Sequence, residues 1–172
     1  HLGGTRPRNL IEEMELAREV LVEQWHRFAT RAEQPGLPAR VLVGTPGVGK
    51  TMALCKWVTQ ETFLGQRPAR LWRLDGALPN TAEFLSLHSE MMQVPVERVW
   101  TDSLDVPEDT LRFVDLPGVP ATVSAVEELA AQLKPIGSAE VQLVLNSAYD
   151  LDLLLEQARV FSALPLAGLI FT

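Results

Sequence analysis

The residues best suited to chemistry are Gly44, Thr45, Pro46, Gly47, Val48, Gly49, Lys50 and Thr51, which fit G-x-x-x-x-G-K-[ST] at every fixed position. Glycines at these places let several backbone N–H groups converge on an anion, and a following helix aims its positive end at the same point. Lys50 would bring a mobile cation to the outer phosphates, and the Thr51 hydroxyl is placed to ligate magnesium. A glycine-rich turn that binds nothing is the competing reading. Two acids add to the set. Asp115 opens Asp115-Leu116-Pro117-Gly118, a D-x-x-G form in which the acid can hold magnesium through water and Gly118 can offer its N–H to a terminal phosphate. The same tetrapeptide also reads as a plain turn. Asp75 could orient an attacking water or touch magnesium, or Asp75-Gly76 is simply a turn.

These residues need elements to position them, and the chain alternates accordingly. Strands are expected over Arg40–Val43, Ala69–Asp75, Val94–Trp100, Leu111–Asp115, Val141–Leu145 and Leu166–Phe171. Between them, helices are expected over Met52–Val58, Asn80–Met92 (capped by Asn80 or Thr81), Ala121–Leu133 and Leu151–Phe161. Thr101–Asp109 reads as a polar surface loop. Apolar strands alternating with helices predict a three-layer α/β fold of the P-loop NTPase kind, a mostly parallel sheet with helices on both faces. Ligands of such sheets bind at the carboxyl ends of the strands, where Gly44, Asp75 and Asp115 all fall.

Ahead of this lies one amphipathic helix, Asn9 to about Glu33, with Leu10, Met14, Ala17, Leu21, Trp25 and Phe28 on one stripe. It either packs on the sheet or docks a partner. Pro35-Gly36-Leu37-Pro38 breaks it, which divides the chain into 1–38 and 39–172.

The composition narrows the classes. A net charge of -7 with no offsetting basic stripe argues against a nucleic-acid surface. Cys55, the single cysteine, permits no internal disulfide and reads as buried filler in a reducing compartment. Trp57, Trp72 and Trp100 read as core rather than as stacking platforms. His1, His26 and His88 lack metal-ligand spacing, and no apolar run is long enough to span a bilayer.

The order of segments carries a resemblance. Gly44–Thr51, Arg73-Leu74-Asp75, Ala82-Glu83-Phe84-Leu85, Val94-Pro95-Val96, Asp115–Gly118, Leu143-Val144-Leu145 and Gly168–Thr172 together resemble the GTPase domain of the signal-recognition-particle type, most of all its flagellar-placement members. The resemblance implies GTP or GDP (with ATP as an alternative) and Mg2+ as ligands. It also implies a homodimer or a heterodimer with a related GTPase domain, and a helical domain of which residues 1–38 would be a remnant. A cytoplasmic setting, peripheral to the membrane and with only indirect contact to it, goes with that family, as does a flagellar role. Several family positions differ. Thr51 is followed by Met52 instead of a second threonine, Leu78 replaces a phosphate-gripping arginine, Val119 replaces a second arginine, and Phe84 replaces a glutamine implicated in catalysis. The guanine-reading motif would begin at Thr172, so the domain is expected to be C-terminally truncated. Three functions follow as expectations: a nucleotide-binding switch or scaffold with weak hydrolysis, an active GTPase in flagellar or protein targeting, or an interaction domain with a vestigial phosphate loop.

Overall fold

The strands expected from residue 39 onward are mostly continuous apolar runs, and a pleated backbone sends neighbouring side chains of such a run to opposite faces of a sheet. The computed structural model describes residue 9 and residues 11–12, 14–15, 18–19, 37–76, 79–101 and 106–172. In it, strands β1 (Ala39–Val43), β2 (Ala69–Arg73), β3 (Val96–Glu97), β4 (Leu111–Asp115), β5 (Ala139–Leu145) and β6 (Leu166–Phe171) form one sheet, ordered β3-β2-β4-β1-β5-β6. All pairings are parallel. The α-helices between the strands are α1 (Lys50–Thr59), α2 (Glu83–Met91), α3 (Val123–Leu133) and α4 (Leu151–Phe161); α1 runs on as a π-helical turn over Gln60–Leu64 and α3 as a 3-10 turn over Lys134–Ile136.

Neighbouring residues on a strand part company, as a pleated backbone requires. Leu42, Leu71, Phe113 and Val144 pack with Leu54, Cys55 and Val58 of α1 and Leu85 of α2. Val41, Val43, Trp72, Val114 and Leu143 pack with Val126 and Leu129 of α3 and Phe161 of α4. The sheet is thus covered on both faces, as the fold class requires. From β1 the chain runs toward β2, while from β4 it crosses to β5 on the other side of β1. The crevice between β1 and β4 is therefore the switch point at which such sheets bind ligands.

Several expected elements are altered. The strand expected over 69–75 ends at Arg73, and the one expected over 94–100 shrinks to Val96–Glu97. β3 is an edge strand paired only with β2. Trp100 lies outside it yet packs on buried Trp72, with ring centroids 4.8 Å apart. The helix expected from Asn80 begins at Glu83, and its N-cap Ala82 makes no side-chain cap bond. Neither Asn80 nor Thr81 caps it. The loop expected to be wholly surface buries Val106; residues 102–105 lie outside the described residues. Thr122 and Asp150 cap α3 and α4 with side-chain hydrogen bonds.

The chain divides into two compact units, residues 1–33 and 34–172. In the first, residues 11, 12, 14, 15, 18 and 19 are helical and exposed, Met14 of the expected stripe among them. The rest of the helix expected over 9–33 lies outside the described residues. No helix among the described residues is long and apolar enough to cross a membrane.

Candidate functional site

The pairing register explains why the chemistry-bearing residues gather. Asp115 is partnered with Leu42 on one side and Arg73 on the other. The loop after β1, the acid ending β4 and the loop after β2 therefore emerge side by side. The phosphate-loop residues Gly44 to Gly49 turn from β1 into α1, which starts at Lys50. Gly49 is the N-cap of α1 at φ 89°, ψ 17°, a left-handed conformation that costs glycine nothing and other residues much. Lys50 is buried, its Nζ donating to the carbonyls of Gly44 at 3.4 Å and Thr45 at 3.2 Å. Burial lowers its pKa, and the charge of Asp115 opposes that shift.

Gly118 lies against this loop. A Cβ at Gly118 would come within 2.6 Å of Pro46 N and 2.8 Å of Lys50 Nζ, so only glycine allows the approach. The contact is pinned one residue on, where Val119 N donates to Gly44 O at 3.2 Å. Thr172 closes the far side: its Oγ1 donates to Val48 O at 2.7 Å. Next to Gly118's segment, a Cβ at Gly76 would meet Pro117 at 3.5 Å, which puts the Asp75 loop beside the D-x-x-G turn.

The two acids differ sharply. Asp115 is 1% exposed. Burial is the largest influence on it and raises its pKa, against the Asn80 hydrogen bond, the Lys50 charge, the Thr51 hydroxyl and Arg73. Its Oδ2 accepts from Asn80 Nδ2 at 2.9 Å, while Oδ1 is buried with no hydrogen-bond partner. The Thr51 hydroxyl stands close enough to favour the carboxylate, without a hydrogen bond of ordinary geometry to Oδ1. Asp75 is exposed, and its Oδ1 accepts from Asn80 N at 2.7 Å and Arg98 Nη2 at 3.0 Å. Its pKa is lowered, first by the Asn80 N–H; desolvation opposes this, and Arg98 and Arg73 add to the lowering.

A magnesium ion suits this donor set. The ion keeps several waters and takes one or two protein oxygens beside phosphate. Thr51 and Asp115 are two such oxygen donors, and an orphaned buried carboxylate oxygen calls for a water or an ion. Among the described residues no group of three or more His, Cys, Asp or Glu could hold a metal by itself.

The remaining expectations are placed as follows. Cys55 is buried among apolar neighbours, and burial pushes its thiol up to about 11, which makes it inert. Phe84 is exposed and stacks on His88. Leu78 lies outside the described residues. Sequence reasoning missed Arg98, and it gave Asn80 the role of a helix cap. The only sequence signal for either was a polar side chain close to a predicted element end.

No protein-family model and no curated protein matches the chain. Fold and loop define the phosphate-loop class of α/β domains. Among solved structures, the chain is similar to FlhF in complex with GTP and magnesium, at 22% identity and a TM-score of 0.70, over 99% of this chain and 68% of that one. It is also similar to the signal recognition particle receptor FtsY from Elizabethkingia anophelis, at 23% identity and a TM-score of 0.62, over 81% of this chain and 51% of that one. FtsY from Thermotoga maritima gives 20% identity and a TM-score of 0.58, over 89% of this chain and 60% of that one. The fold is the one that these FlhF and FtsY structures share. The chain spans about half the length of the first FtsY structure.

Proposed function

We propose that this chain is a degenerate relative of the signal-recognition-particle-type GTPases that binds a guanine nucleotide with magnesium and works as a switch or scaffold through a partner. The observation that carries the reading is the convergence of Lys50, Gly118 and buried Asp115 on one phosphate loop at the sheet's switch point. FlhF, of the same fold, is known in complex with GTP and magnesium and with GMPPNP and magnesium. In this proposal the loop amides and Lys50 hold the phosphates, Gly118 donates its N–H to the outermost one, and Thr51 and Asp115 hold the ion. Magnesium, when bound, neutralises charge between phosphates. The partner in this reading is a second copy or a related GTPase domain, in a cytoplasmic setting with membrane contact made indirectly.

Slow hydrolysis is part of the proposal. Charge placed against the transferring phosphoryl group is worth about a thousand- to a hundred-thousand-fold when an arginine supplies it. Val119 carries no charge. Nearby Arg73 donates to Ala82 O at 2.9 Å and Arg98 to Asp75 at 3.0 Å, so each is already engaged with the segment between β2 and α2. Exposed Phe84 cannot align a water by hydrogen bonding, which leaves Asp75 as the group for that task. Single-turnover hydrolysis at saturating protein tests this part. The expected result is tight binding with a rate far below that of active relatives. A fast rate, lost in Lys50→Ala, restores the active GTPase.

A further inference from the structure

Asn80 is 6% exposed, and each polar group it offers is used on a different piece of the site. Its backbone N–H donates to Asp75 Oδ1 at 2.7 Å. Its Nδ2 donates to Asp115 twice, to Oδ2 at 2.9 Å and to the backbone carbonyl at 3.3 Å. Its Oδ1 accepts from Ala82 N at 3.1 Å, which fixes the side-chain amide so that the donor faces Asp115. Arg98 closes the outer end, with Nη2 on Asp75 Oδ1 at 3.0 Å and Nη1 toward Asn80 O at 3.5 Å.

The consequence is geometric. A carboxylate held by one oxygen and by its own backbone carbonyl cannot rotate freely. With Oδ2 taken, Oδ1 is the oxygen left without a partner. We propose that Asn80 is a positioning residue that locks Asp115 so that Oδ1 serves magnesium, and that Asp75 and Arg98 anchor Asn80 from the surface. This rests on the nucleotide-binding reading above and deepens it. Asp75 then contributes through Asn80 to metal binding, whatever else it does to water. A plain helix cap would explain only the bond to Ala82 N and neither bond to Asp115.

Hydrogen-bond partners of metal ligands typically govern metal affinity by about 10- to 100-fold. The test uses the full chain and Asn80→Asp, a near-isosteric change that keeps the acceptor for Ala82 N and replaces the donor facing Asp115 with an oxygen. Fluorescent GTP is titrated in EDTA and across a magnesium series, and melting is recorded without nucleotide. The expected result is a magnesium midpoint raised about tenfold or more, well beyond the loss of affinity in EDTA that the added charge causes. Asp75→Ala, at an exposed position, shifts the midpoint in the same direction by less. Adding it to Asn80→Asp gives less than the product of the two effects, because both act through one chain of bonds. If Asn80→Asp does not fold, Asp75→Ala alone decides by the same midpoint. A wild-type magnesium midpoint in the folded variants overturns the positioning role and leaves nucleotide binding standing. Failure of the wild type to bind nucleotide at any magnesium concentration overturns both.

Discussion

Gly118→Ala probes the contact that joins the D-x-x-G turn to the phosphate loop. The added Cβ would stand 2.6 Å from Pro46 N, 2.7 Å from Pro46 Cα and 2.8 Å from Lys50 Nζ, where ordinary contact begins at 3.4 Å. The Lys50 amine can swing aside by the missing 0.6 Å (3.4 minus 2.8), but the two Pro46 atoms are backbone. Loop and turn must therefore separate by about 0.8 Å (3.4 minus 2.6), against the Val119 N to Gly44 O bond one residue away. Overpacking of this kind costs about 1–3 kcal/mol. Where that strain opposes the binding arrangement, affinity falls about 5- to 150-fold, at 1.4 kcal/mol per tenfold. The assay is titration of fluorescent GTP with magnesium, with melting in parallel. Gly76→Ala is the control, since its Cβ meets the free end of Gln132 at 3.2 Å, a side chain that can yield. Wild-type affinity in Gly118→Ala would show that turn and loop are not in contact in the binding state, and the argument for Gly118 fails.

Asp115→Asn removes a buried charge whose pKa burial raises, so ionised Asp115 costs stability above its folded pKa. The nucleotide-free variant is expected to melt no lower than wild type, while the gain from magnesium with GTP disappears; a marked loss of melting temperature makes Asp115 structural instead. Glu61→Gln breaks the pair with Arg40 at 2.9 Å and is expected to cost about 2 kcal/mol, read by urea unfolding. Burial pushes Glu61 up, but bonds from Arg40 and Trp57 and the charge of Arg67 outweigh it and hold its pKa below 4.5. Its contribution is present above that value and lost as pH falls through the folded pKa, so wild type and variant converge in acid; a constant gap contradicts the assignment.

Much of the frame was legible because it is written locally. Strands with two buried faces leave continuous apolar runs, and Leu111–Asp115, Leu151–Phe161 and Leu166–Phe171 take the expected bounds. The loop Gly44–Thr51 announces itself by composition. What escaped depends on residues far apart in sequence. Nothing local says that β4 inserts between β2 and β1, which is what puts Asp115 beside Leu42. Asn80 near a helix start reads as a cap, because its bond to Asp115 spans 35 residues. Similarly, Arg98 reads as part of a long strand, whereas it lies just past the end of β3 and reaches Asp75, 23 residues away in sequence.

The central claim is that the phosphate loop binds nucleotide through Lys50. The most direct measurement is the melting temperature of wild type and Lys50→Ala with and without saturating GTP and magnesium. A ligand at 100 times its dissociation constant stabilises the fold by about 2.7 kcal/mol. The account predicts a rise of that order in wild type and its near-complete loss in Lys50→Ala, with both proteins folded in the absence of ligand. An unchanged melting temperature in wild type at millimolar GTP contradicts it and makes the loop vestigial.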